Sequence, residues 1–250
     1  MALITIGGLG FFVWEDILRC GRDLRRLSLY SKMVLSFTAA LILGGGLFFL
    51  LAEWDNPATL GDMPGWKRVL NAAFQAVTLR TAGFDTIGQG NLRDSSLAMS
   101  CILMLIGGSS GSTAGGLKTV TVGVLFLTLR AGLAGREEVT LRGRSISHRR
   151  VMNALTLTLI VAVIFLAGSM IISLVDDVPF LSAAFESASA MATVGVTVGI
   201  TPTLSLFSHV LLICMMFLGR VGIMSFSIAF LARSKYPAKI KYPTMDIMIG

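Results

Sequence analysis

The chain has 250 residues, 54% of them hydrophobic and 14% charged, with a net charge of +7; an ordinary soluble domain carries about 25% charged residues. This balance excludes a soluble globular domain and points to an integral membrane protein. A positive charge of this size would suit nucleic acid, but Lys and Arg fall in blocks between apolar stretches, which excludes that partner and fits a lipid bilayer.

In chain order, the first dozen residues, MALITIGGLGFF, are apolar but lack a basic leader and a small-residue cleavage site, so they do not make a signal peptide. Five cations follow within residues 19–32. Residues 34–52 are uncharged and about the length of a membrane-spanning helix, roughly 20 residues. Residues 53–95 hold five acids against four bases and include a run, 66–77, too short to cross. After TLRTAGFDT (78–86) comes an apolar stretch, broken by GGSSGSTAGGLKT (107–119) and resumed as TVTVGVLFLTL. Six arginines lie in 130–150, and a second span is predicted over 151–175. Residues 176–203 have three acids and no base, with another short run, 179–191, and the stretch TVGVTVGITP. A last apolar segment leads to four cations in 233–241.

By the positive-inside rule the three basic blocks face the cytoplasm and the two acidic loops face outward, giving a multi-pass protein of the cell membrane. Trp54 and Trp66 sit at the outer boundary, and Trp14, Tyr30, Tyr236 and Tyr242 near the cytoplasmic one, as interfacial aromatics do. Of the 21 basic residues only Lys118 and Arg220 fall inside apolar segments. Cys20, Cys101 and Cys214 have no metal or redox spacing and read as small apolar fillers. His148 and His209 have no companions, and no acid/base pair, triad or metal cluster is legible, so no enzyme reading survives.

The glycine-rich stretch resembles a phosphate-binding loop but fails its pattern, since Leu117 separates Gly116 from Lys118 and both flanks are membrane-grade apolar sequence. Repetition is more informative. Thr81-Ala82-Gly83 falls on Thr193-Val194-Gly195 at an offset of 112, Phe74 falls on Phe185 one residue off that register, and IGGSSG from Ile106 falls on LGRVGI from Leu218 at 112. A third copy, IGGLGF, runs over residues 6–11. The short runs are expected to be re-entrant helices, tolerated only where protein or a water-filled cavity surrounds the backbone. Each is followed by a Gly/Thr stretch at its C-terminal, partly negative end, which favours a cation. Glycine lets successive carbonyls turn toward one axis, and a ring of carbonyls can replace the hydration shell of potassium. Two such loops do not close a ring; four do.

These stretches together resemble the C-terminal half of a TrkH/KtrB-type potassium translocating subunit of the Trk/Ktr/HKT superfamily, and the resemblance covers the whole chain, to the terminal KYPTMDIMIG. It implies an all-α membrane protein of helix–pore-loop–helix units. Residues 1–32 would be the last helix of repeat two and a cytoplasmic linker, 33–150 repeat three, and 151–250 repeat four with a cytoplasmic tail. The filter would include Thr81, Ala82, Gly83, Thr193, Val194 and Gly195. The gate would be the loop with Gly107, Gly108, Gly111, Gly115 and Gly116, opposed by Arg220, whose charge would hold the loop through carbonyls. Lys118 could snorkel to the interface, and Asp85 could concentrate cations outside the filter or be a solvated carboxylate. Implied further are potassium as the transported ion, with sodium left open, no cofactor, a homodimer, and a cytosolic nucleotide-binding regulatory subunit. The alternative from the residues alone is a secondary transporter with discontinuous helices.

Overall fold

Between Lys32 and Glu53 no residue is charged, and the chain forms α3 (Leu29–Ala52) there; the uncharged stretch from Val151 to Val175 lies in α7 (His148–Asp176). At 24 and 29 residues these are the two described helices long and apolar enough to cross a bilayer. The computed structural model describes residues 1–221 apart from Arg22, Glu137 and Arg142. Expectations on Tyr236, Tyr242, the 233–241 basic block, the end of LGRVGI and KYPTMDIMIG therefore lie outside the described residues. Helix α3 starts earlier than expected because Ser28 caps it, its hydroxyl accepting from Ser31 N at 3.2 Å.

After each long helix comes a short one that starts directly behind a proline. They are α4 (Gly65–Thr78) behind Pro64 and α8 (Phe180–Met191) behind Pro179. With 14 and 12 residues they reach only about 21 and 18 Å at 1.5 Å per residue, against a hydrocarbon core of about 30 Å. The chain then returns outward and descends again in α5 (Asp94–Leu105) and α9 (Leu206–Val221). Between α5 and α7 run the glycine-rich loop, α6 (Thr119–Leu133) and a small hairpin of β1 (Thr140–Leu141) and β2 (Arg144–Ser145). The first long–short–return unit is α3–α4–α5 and the second is α7–α8–α9.

A carboxylate closes each unit at its outer end. Glu53, just past α3, accepts from Arg93 N at 3.0 Å, and Asp176, the last residue of α7, accepts from Ser205 N at 2.8 Å. Both N–H groups lie at the start of the returning helix, where backbone donors have no helical partner. The core gathers around the short helices: residues 183–191 of α8 are all buried, and Phe185, Ala188, Ala72, Ala76, Leu103 and Phe49 form one apolar cluster. Small residues permit the close approach, with Gly45 of α3 set against Ala76 and Leu103. The outward faces of α3 and α7 remain apolar and exposed, as a lipid-facing surface requires.

The N-terminal apolar run is two helices, α1 (Ala2–Gly8) and α2 (Phe11–Cys20), interrupted at Leu9–Gly10. A single helix was the expectation for this segment. It breaks because its carbonyls are taken by the glycine-rich loop 100 residues further on: Ser109 N donates to Gly8 O at 2.9 Å, and Ser109 Oγ donates to Leu9 O.

Candidate functional site

The short helices run into two loops of unusual backbone. Thr81 and Thr193 both adopt left-handed φ, 65° and 56°, which few non-glycine residues do. A hydroxyl in the last turn of each helix holds the strain. Thr78 Oγ1 donates to Phe84 O at 2.6 Å and accepts from Phe84 N, while Ser189 Oγ donates to Val196 O at 2.6 Å and accepts from Gly195 N. Ala82 N turns back to Thr78 O, four residues earlier, and Val194 N to Ser189 O, five earlier. That wider turn absorbs one extra residue in the second loop and explains why Phe74 and Phe185 sit one position off the register of the loops.

The two loops meet. Gly83 approaches Val194 so closely that a Cβ would overlap the Val194 carbonyl oxygen. Thr81, Ala82 and Gly83 are thereby brought beside Thr193, Val194 and Gly195. Among the described residues, no hydrogen bond ends on the carbonyl oxygens of these six. Buried or half-buried carbonyls normally have partners; residues 81–83, 193 and 194 are buried or half-buried and Gly195 is exposed, so these oxygens are left free to accept from something other than the described chain.

Behind each loop lie three polar side chains, joined in a line through Gln89 in the first unit and in a closed triangle in the second, where Thr197 Oγ1 and Thr201 Oγ1 are 2.9 Å apart. In the first, Gln75 and Gln89 exchange hydrogen bonds of 2.6 and 3.1 Å, and Gln89 Nε2 also donates to Asp85 Oδ1 at 2.7 Å. Asp85 is further used by the N–H groups of Ile87, Gly88 and Gln89, so it braces the loop. In the second triangle, Glu186 accepts from Thr197 Oγ1 at 2.5 Å, Val198 N at 3.0 Å and Thr201 Oγ1 at 2.8 Å.

The glycine-rich loop leaves and returns through a neck in which Leu117 N donates to Leu105 O, Gly107 N to Leu117 O and Thr119 N to Gly108 O, each at 2.9 Å. Gly107 and Gly108 form that neck, Gly111 lies at the far end against Phe12, and Gly115 and Gly116 return under the second filter-like loop. A Cβ on Gly115 would lie 2.7 Å from Ala192 O, so only glycine allows this approach. Three cations grip the loop. Arg220 Nη1 donates to Thr113 O, Lys118 Nζ folds back to Ala114 O at 2.6 Å instead of reaching the interface, and Arg80 Nη2 donates to Gly107 O and Thr119 Oγ1 at 3.3 Å each. Phe11 N and the Tyr30 hydroxyl hold the tip through Gly111 O and Ser110 O.

A family model described as a cation transport protein, TrkH, matches residues 27–238. The chain belongs to the TrkH family. It is 41% identical over 254 residues to the potassium/sodium uptake protein NtpJ of Enterococcus hirae, covering 100% of this chain and 56% of that protein. It is 34% identical over 248 residues to Ktr system potassium uptake protein B of Bacillus subtilis, covering 99% of this chain and 55% of the relative. This TrkH-family chain thus spans about half the length of the curated relatives it matches. Its fold is that of the potassium transporter TrkH from Vibrio parahaemolyticus, with a TM-score of 0.72 at 21% identity, over 91% of this chain and 50% of that one. Membership of this family makes it a membrane protein.

Sequence reasoning assigned nothing to Arg80, Gln75, Gln89 or Glu186. Arg80 stands inside the quoted TLRTAGFDT, 7% exposed, and a buried guanidinium is costly enough to be a signal in itself. The trios were visible in register: Gln75 falls on Glu186 at an offset of 111, and Asp85 and Gln89 fall on Thr197 and Thr201 at 112.

Proposed function

We propose that the chain supplies two filter segments and the gate loop of a potassium-uptake pore. The observation carrying this reading is that the loops beyond the C-terminal, partly negative ends of α4 and α8 meet at Gly83 and Val194, with the carbonyls of 81–83 and 193–195 accepting no hydrogen bond among the described residues. Potassium is the cargo, sodium the competitor, and the protein itself needs no cofactor. On this reading 33–150 and 151–250 are repeats three and four of a four-repeat pore, and 1–32 ends repeat two. Two segments supply half a ring, so a homodimer or further sequence provides the rest. The basic inner loops, with Arg136, Arg144, Arg149 and Arg150, suit docking of a cytosolic nucleotide-binding regulatory subunit.

Gating is the task of the loop at 107–116. It lies against the entry of the second filter loop and is held through backbone carbonyls by Arg80, Lys118 and Arg220, contacts that can be broken without unfolding a helix. The test is expression in cells lacking potassium uptake, with and without any sequence preceding this chain in its reading frame. Growth at low potassium and rubidium influx are expected in at least one form. No alkali-cation influx in either, with the protein present in the membrane, sinks the reading.

A further inference from the structure

Two loops of different sequence are braced by the same three positions. The corner on the short helix is Gln75 in one unit and Glu186 in the other. The loop corners are Asp85 and Gln89 in the first, Thr197 and Thr201 in the second. Each trio has one carboxylate, but at a different corner: on the loop in the first unit, where Gln89 links it to Gln75, and on the helix in the second, where Glu186 binds both threonines directly. The local turn matches as well, since Asp85 Oδ1 accepts from Ile87 N and Thr197 Oγ1 accepts from Gly199 N, two residues on in both. Gln75, Gln89 and Glu186 are 0%, 1% and 5% exposed. Among the described residues no cation pairs with Glu186; the only ion pairs are Arg19–Glu15 and Arg26–Asp23. A buried carboxylate of this kind is held by its donors alone.

We propose that Glu186, with Thr197 and Thr201, is the positioning device that sets cation selectivity in the second filter loop, and that Asp85, Gln75 and Gln89 do the same for the first. The brace fixes the outer limb of each loop against its short helix, and with it the spacing of the free carbonyls at 193–195 and 81–83. A ring of carbonyls discriminates between cations by size and field strength only if it resists collapse onto the smaller ion. This inference rests on the filter reading above.

Three variants test it in the form of the protein that transports: Glu186→Gln, Glu186→Gln combined with Thr197→Asp, and Thr201→Val. The double variant moves the carboxylate to the corner it occupies in the first unit. The readout is the ratio of rubidium to sodium influx at matched amounts in the membrane. Glu186→Gln is expected to lower that ratio by about tenfold, within what one charge-assisted hydrogen bond can supply. The double variant is expected to recover most of it, and Thr201→Val, which keeps the carboxylate and removes one donor, to fall between. A merely structural role lowers the amount of protein, or both fluxes alike, and leaves the ratio where it was. The parent's ratio in all the variants that reach the membrane, or no recovery in the double variant, overturns the brace. A parent protein that carries neither ion overturns the filter reading instead, and the brace with it, so the two failures are told apart.

Discussion

Glu53 is fully buried at the outer end of α3. Burial pushes its carboxyl up, but the donors around it, the Ser96 and Asn56 side chains, Arg93 N–H and the Thr59 hydroxyl, pull harder and leave it below the ordinary glutamate value. A group whose folded pKa is depressed adds stability that is complete above its unfolded value and is lost as pH falls through the folded one. The unfolding midpoint of the protein in detergent is therefore expected to drop as pH is lowered below about 4. Glu53→Gln is expected to lower the midpoint at neutral pH and to flatten that acid limb; equal acid limbs in variant and parent would show that Glu53 is not its source. The sequence placed this glutamate outside the membrane and no more, because its partner Arg93 N is 40 residues away. Arg80 was hidden for a similar reason. It reads as one letter of a motif until the chain brings Gly107 and Thr119 onto its guanidinium.

At the level of elements, lengths and order were legible because charge-free stretches of bilayer length and stretches too short to cross leave little choice of fold. The ten Gly, Ser and Thr residues at 107–119 marked a break in an otherwise apolar segment. The break at Leu9–Gly10 was only half legible: Gly10, which takes a φ of 77°, is a local signal, but the Ser109 contacts that hold the break come from 100 residues away. The tight contacts of the loop give an expected outcome. Gly115→Ala drives a methyl into Ala192 O and displaces the returning limb, and Arg80→Gln loosens the neck. Thiol modification of a Ser112→Cys reporter is expected to accelerate by about tenfold in each, the effect of ~1.4 kcal/mol on an opening equilibrium. Gly44→Ala, with no neighbour within 4 Å, is the control. Unchanged modification in both variants removes the grip of Arg80 and Ala192 on the loop.

For the molecule as a whole, the proposed filter reading has two loops where a ring needs four, and large apolar side chains are exposed on α2 (Phe11, Phe12, Leu18) and α3 (Leu43, Leu47, Leu51). Lipid covers such surfaces, and so does a partner in the membrane. The 26.7 kDa chain, purified in detergent, is expected to scatter light with the protein mass of a dimer. A monomer at every concentration excludes a second copy as the source of the other two filter segments that the proposed reading requires. How two loops come together was only half readable from sequence: the repeat predicted that they are alike, and only the fold put Gly83 against Val194.

The carboxylates that close the two units also bear on how the chain is made. Glu53 is synthesised 40 residues before Arg93, and Asp176 29 residues before Ser205, so each acid leaves the ribosome well ahead of the N–H that it accepts. Until the returning helix arrives, Glu53 has only the nearby Asn56 and Thr59 side chains as donors, and neither acid has its latch. Each long–short–return unit is therefore latched at its outer end only when its third helix is in place.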